Sequence, residues 1–285
     1  MTDVLERLFD LEGTGALLGE QFVQNALIAC AVLGLVAGLL TPLVVSRGMA
    51  FAVHGTAELA FTGGAAALLV GLEVGLGSVV GAVVAATIFG VLGLRQRERD
   101  SVIGVVMAFG LGLGVLFLSL YDGRSANRLG LLTGSIVSVD GANLRVLAAV
   151  VVLVLVTLLV VYRPLLFAST YPDVALARGV PVRALSLVFA ILVGLVTSLA
   201  VPIVGAILVL AVMIVPGAAA NRVTANPVLA TVLAIVIAEA ALVGGTILSL
   251  APGVPVSAYV ATIGFVAYLL CRLVARLRGR GAVRA

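Results

Sequence analysis

The sequence contains no lysine: all 17 of its basic residues are arginine, set against 13 aspartates and glutamates. A chain without lysine has no phosphate-loop amine for the β- and γ-phosphates of ATP, and none for Schiff-base chemistry. Any ATP-driven step must therefore be carried out by another chain. Charge is scarce too, at 11% of residues, where soluble domains carry about 25%. Aromatics make up only 5%, and the arginines stand beside hydrophobic runs, so the basic excess belongs to membrane-flanking loops and not to nucleic-acid binding. The two cysteines, Cys30 and Cys271, have no metal-motif spacing and read as small apolar packing residues. Histidine occurs once, at position 54.

What is present is apolar sequence almost from end to end. Hydrophobic residues make up 62% of the 285, well above the 45–50% or so of a soluble domain. That excludes a water-soluble enzyme and predicts an all-α polytopic membrane protein. A bilayer crossing takes about 20 apolar residues. Runs bounded by charge, proline or glycine give eight to nine such spans, near 22–45, 50–71, 77–94, 101–120, 144–162, 184–200, 203–220, 228–250 and 256–273. The first hairpin is expected to turn over Gly71 to Gly77. Residues 121–143 are expected to form an external loop with a short interfacial helix. No repeat or linker divides the chain, which reads as a lead-in over 1–20, a single transmembrane domain over 21–275 and a basic cytoplasmic tail over 276–285. The first twenty residues carry Asp3, Glu6, Asp10, Glu12 and Glu20 against Arg7 alone, and so lack the basic region of a cleavable signal.

Arginine density orients the spans. Arg95, Arg97 and Arg99 form one cluster, Arg163, Arg178 and Arg183 a second, and Arg272, Arg276, Arg278, Arg280 and Arg284 a third. The positive-inside rule places all three in the cytoplasm. An even number of predicted spans separates each pair of clusters, as this requires. The same count puts Arg47, Arg222 and the C-terminus inside and the acidic N-terminus outside.

Ionisable groups within spans cost at least about 2.5–3.5 kcal/mol on insertion scales and are functional candidates. His54, Glu58 and Glu239 qualify, whereas Glu73 falls at an outer turn. On a helix, positions 54 and 58 differ by about 40° of rotation and 6 Å of rise, so both side chains face the same way. An imidazole beside a carboxylate suits zinc, manganese or ferrous iron. An i,i+4 charge pair satisfying itself at the membrane boundary has the same spacing. Two ligands are too few for zinc, but a symmetric dimer would supply four. Glu239, in the middle of the eighth span, is either part of a transport path or paired with an arginine or a backbone group. A proton-coupled carrier relaying through Glu58, Glu239 and His54 is the rival reading.

Three segments resemble the integral-membrane permease subunits of bacterial ABC importers for zinc and manganese. Arg47-Gly-Met-Ala-Phe-Ala-Val-His-Gly-Thr-Ala-Glu-Leu-Ala-Phe-Thr-Gly63 is similar to the segment in which an arginine precedes Asp-Ala-Leu-Ser-His-x-x-Leu-Pro-Gly. Val204-Gly-Ala-Ile-Leu-Val-Leu-Ala-Val-Met-Ile-Val-Pro-Gly-Ala-Ala-Ala220 resembles Val-Gly-x-Leu-Leu-Val-x-Ala-Leu-Leu-x-x-Pro-Ala-Ala-x-Ala. Residues 244–258 are similar to the closing Gly-Leu-x-x-Ser-x-x-x-Asp-x-Pro-x-Gly-Ala segment. Leu132-Thr-Gly-Ser-Ile136 and Asp173-Val-Ala-Leu-Ala-Arg-Gly-Val-Pro181 add the family's Gly-Ser-Ile loop and Ala-x-x-x-Gly loop. His54 falls on the family's aspartate and Glu58 on its histidine, so the two ligand types are exchanged. Thr62 replaces a proline, and Ser257 a glycine.

The resemblance implies an ABC-importer permease bundle in the inner (cytoplasmic) membrane that carries zinc or manganese and is itself not an enzyme. It implies three partners: a second copy of the chain, cytoplasmic ATP-binding subunits, and an extracellular metal-binding protein. No permanent cofactor is expected. His54 and Glu58 would hold the transported metal. The proline-bracketed stretch with Pro216, Asn221, Arg222 and Pro227 is expected to contact the ATPase as a brief helix. Glycines 63, 64, 244 and 245 are expected at close helix contacts.

Overall fold

The computed structural model describes residues 15–92, 96–123, 130–131, 134, 141–250 and 254–282. The acidic lead-in up to residue 14, Arg95, most of the 121–143 loop, most of the 132–136 motif and Arg284 lie outside them. Within the described residues the chain is a helical bundle without strands. Its helices are α1 (Gln21–Ser46), α2 (Ala50–Leu69), α3 (Val74–Leu92), α4 (Gln96–Leu120), α5 (Gly141–Thr170), α6 (Pro172–Ala177), α7 (Val182–Val204), α8 (Val209–Met213), α9 (Val215–Val223), α10 (Pro227–Ser249) and α11 (Val256–Ala282). Residues 276–282 continue the last helix, so the described part of the basic tail is helical.

Six stretches are long and apolar enough to cross a bilayer: Gln21–Ser46, Asp100–Leu120, Leu144–Thr170, Val182–Val204, Pro227–Ser249 and Val256–Arg278. Of the most apolar part of each, 78% is buried in α7 but only 11% in α11, which makes α7 the bundle's centre and α11 an outer helix. The other three expected spans take different forms. The first hairpin turns earlier than expected, around Gly71, whose φ of 76° suits glycine. Gly77 therefore lies inside α3, with α2 ending at Leu69 and α3 starting at Val74.

The seventh expected span is not one helix. It breaks at Gly205, where φ is 89° and α7 ends, passes through a single tight turn at Ala206–Leu208, and breaks again at Ile214 before Pro216. A proline at the first turn of a helix lacks only an N–H that would have been unsatisfied, so Pro216 starts α9 without cost. Pro227 does the same for α10, with the Asn226 side chain accepting from the amides of Val228 and Leu229 at 3.0 and 3.4 Å.

Glycine permits the tightest approach in the bundle. A Cβ added at Gly63 of α2 would strike the Gly77 carbonyl of α3, and one at Gly81 would strike that of Leu59, so the two backbones touch in the small-residue manner of membrane helices. Gly64 likewise lies 2.7 Å from Ser78 Oγ by this measure, and Gly245 lies 2.9 Å from Val260. Gly244 meets only Ile263, at 3.7 Å, which is ordinary contact and corrects the expectation for that position.

The arginine-flanked helix ends gather at one end of the bundle. Arg47, after α1, donates to Ser169 Oγ near the end of α5 at 2.8 Å and to Ser186 Oγ near the start of α7 at 2.6 Å, and its guanidinium stands 5.5 Å from the Phe189 ring centroid. Arg278 reaches the Val223 carbonyl at 3.5 Å. Arg222 lies 5.7 Å over the Tyr268 ring, within cation–π range. Connections that the charge pattern assigns to a single side therefore touch one another.

Candidate metal site

Helix α2 packs on α3, α4 and α7 and on the short segments after Gly205, which surrounds its polar residues with protein. His54 and Glu58 do share a face: Nε2 and Oε1 are 4.0 Å apart, with the side chains 29% and 9% exposed. That separation exceeds a hydrogen bond, which spans about 2.7–3.2 Å. Two ligands of a tetrahedral ion bound at about 2.0–2.2 Å stand about 3.4 Å apart, so a modest side-chain rotation brings both onto one cation. The other imidazole nitrogen, Nδ1, is buried without a hydrogen-bond partner. Among the described residues no three histidine, cysteine, aspartate or glutamate side chains gather. One chain thus supplies one nitrogen and one carboxylate. The next turn of α2 is fixed by Thr62, whose hydroxyl lies 2.8 Å from the Glu58 carbonyl and 2.6 Å from that of Gly110 on α4.

Glu239 sits elsewhere. Helix α10 packs on α1, α9 and α11, and the carboxylate lies against Gly34 of α1, where an added Cβ would come within 3.0 Å of it. Beside it the Cys30 sulfur and the Thr246 hydroxyl are 3.2 Å apart. Glu239 is therefore seated on α1 backbone among small polar groups, and does not join His54 and Glu58 in one cluster.

The four residues expected at the ATPase contact divide. Pro216 is buried and Pro227 exposed. The Asn221 amide donates to the Pro42 carbonyl of α1 at 3.2 Å, and Gly217 abuts Thr41 and Pro42 so closely that a side chain could not fit. Asn221 and Arg222 are surface residues whose polar groups also hold α9 to the bundle. Helix α6 projects at the same end, with Tyr171, Val174 and Leu176 60%, 48% and 58% exposed. The Arg47 clasp on Ser169 and Ser186 was not read as a contact from the sequence, because its partners lie more than a hundred residues away.

These helices, with an inner core of α1, α2 and α7 and a polar pair in the first half of α2, form a multi-spanning membrane bundle. The fold is that of the solved PsaBC from Streptococcus pneumoniae, at a TM-score of 0.82 and 24% identity, covering 94% of this chain and 99% of that one. Residues 19–275 match the ABC 3 transport family, and the chain belongs to that family. It is 28% identical over 257 residues to the manganese transport system membrane protein MntC of Halalkalibacterium halodurans, with 88% of each chain covered. It is 27% identical over 154 residues to the high-affinity zinc uptake system membrane protein ZnuB of Haemophilus influenzae, covering 54% of this chain and 59% of that one.

Proposed function

We propose that the chain is the permease of an importer for a divalent metal ion, manganese or zinc, with His54 and Glu58 as its contribution to the ion's site. The carrying observation is the pair itself: a half-buried imidazole and a buried carboxylate 4.0 Å apart on one face of α2. Relatives named for manganese and for zinc transport support the cargo class. One imidazole and one carboxylate per chain match borderline divalent ions and leave iron as a third candidate.

A homodimer would bring two such pairs around its axis and complete four ligands. An extracellular binding protein would deliver the ion to one side of the inner membrane. Paired cytoplasmic ATPases would supply the closing force on the other, since this chain has no lysine for that chemistry. The arginine-bearing end, with the C-terminus, faces those ATPases. The exposed apolar residues of α6 and the Asn221–Arg222 turn are the surfaces available to them, with α6 taking the larger share because Asn221 and Arg222 are also engaged within the bundle.

The test is metal uptake by the reconstituted transporter at limiting manganese or zinc. His54→Ala is expected to abolish uptake with assembly and basal ATP hydrolysis intact, and Glu58→Gln to weaken it strongly. Normal uptake by both variants would reduce the pair to a boundary charge pair.

A further inference from the structure

The last helix, α11, carries two kinds of arginine. Arg278 turns toward the bundle, 3.5 Å from the Val223 carbonyl, on the side where Arg222 of α9 stands over Tyr268. Arg272 and Arg276 are exposed and, among the described residues, have no hydrogen bond or ion pair. Four residues apart, they stand about 40° apart around the helix and about 6 Å apart along it. Phe265 and Leu269, both exposed, fall on the same stripe. Arg278 lies about 200° further round than Arg276, which separates the engaged arginine from the outward pair.

No carboxylate is at hand to answer that pair. No aspartate or glutamate follows Glu239 in the sequence. Helix α11 packs on α8, α9 and α10, whose only acidic residue is Glu239, seated against α1 at Gly34. Like charges at this helical spacing repel, so an anion set between the two guanidiniums relieves the repulsion and gains charge-assisted hydrogen bonds. Depth decides which anion. Counted from the start of α11 at Val256, Arg272 and Arg276 stand about 24 and 30 Å along the helix, where a hydrocarbon core of about 30 Å gives way to headgroups. Leu270, Leu273 and Leu277 are exposed around them. A soluble acidic partner would have to enter the bilayer to reach Arg272, and a free phosphate would leave the apolar stripe bare. A phospholipid supplies a phosphate and acyl chains together, and basic groups beside a membrane helix favour anionic headgroups. We propose that the outward face of α11 holds one anionic phospholipid of the cytoplasmic leaflet, its phosphate between Arg272 and Arg276 and its acyl chains along Leu269 and Phe265. The choice of leaflet rests on the reading of the arginine-bearing end as cytoplasmic. The binding itself does not depend on the metal site.

The test is native mass spectrometry of the detergent-purified full chain after exposure to phosphatidylglycerol, phosphatidylcholine or inorganic phosphate. One phosphatidylglycerol per chain should be retained in preference to phosphatidylcholine. Arg272→Gln and Arg276→Gln, both at exposed positions, should each lower that population about fivefold, the effect of removing one basic group from an anionic headgroup. The double variant should hold phosphatidylglycerol no better than phosphatidylcholine. Arg278→Gln makes the same change in net charge on the same helix, but on the side toward the bundle, and should leave retention unchanged. The proposal is overturned by equal retention of phosphatidylcholine in the unaltered chain, by undiminished retention in the double variant, by an equal loss in Arg278→Gln, or by inorganic phosphate displacing the lipid. Lost metal uptake in His54→Ala with lipid retention intact would leave this proposal standing, since the two sites are separate.

Discussion

Glu58 and Glu239 lie in the interiors of α2 and α10, and their surroundings differ. Glu58 on α2 faces an imidazole across 4.0 Å with its side chain 9% exposed. Glu239 on α10 rests on the backbone of α1 at Gly34, next to Cys30 and Thr246. The first faces a second group of ligand type, the His54 imidazole. The second has a glycine that makes room for it. A carboxylate in a membrane span is thus not by itself a transport residue, and the group opposite it decides what it can do.

The comparison is broken most sharply by exchanging roles. His54→Ala should abolish metal uptake by removing a ligand, while Glu239→Gln should change it less than about threefold. The double variant His54→Asp with Glu58→His keeps one nitrogen and one carboxylate per chain and should restore most of the uptake lost in either single variant. Equal losses at 54 and 239 would merge the two carboxylates into one path.

The next effect is on folding. Gly63→Leu on α2 drives a side chain into the Gly77 carbonyl and should sharply lower the yield of monodisperse protein, because overpacking alone costs about 1–3 kcal/mol. Gly244→Ala on α10, with only Ile263 at 3.7 Å, should leave yield and Tm unchanged. A similar penalty at both would mean the α2–α3 contact is no tighter than that of α10 with α11 at Gly244.

Arg47→Ala removes two hydrogen bonds of 2.8 and 2.6 Å. Bonds to a charged group contribute about 1.5–3 kcal/mol each, so thermal unfolding should shift downward by several degrees. Ser169→Ala with Ser186→Ala should produce part of that shift, and none would mean the clasp is not formed. At the small end, Thr246→Val removes the Cys30 contact across α1 and α10 and should cost about 1 kcal/mol, visible in Tm and not in uptake. In the assembled transporter, cysteines at 174 and 176 should crosslink to the ATPase more than those at 221 and 222. The reverse order would return the main contact to α9.

The shared face of His54 and Glu58 was legible because it is local. Positions 54 and 58 share a face on any helix, and one histidine in the whole chain leaves little choice of partner. The inner and outer helices were not ranked by sequence, since α7 and α5 both carry long apolar stretches and only packing distinguishes a helix surrounded by protein from one facing lipid. The run from 203 to 220 looked continuous because its hydrophobicity does not drop at Gly205 or Ile214. The backbone breaks there, at a left-handed glycine and just before a proline. Glu239's seat was invisible for a different reason: Gly34 is on another helix, and nothing in the spacing of either residue announces the other. Half of the close glycine contact was read at Gly63 and Gly64, and its partner Gly77 was lost to a turn expected a few residues too long.

The central claim is tested most directly by counting metal. Equilibrium binding of manganese or zinc to the purified homodimer should give one ion per two chains, absent from His54→Ala, greatly weakened in Glu58→Gln and unchanged in Glu239→Gln. One ion per chain, or full occupancy in His54→Ala, would contradict a site shared between two copies of α2.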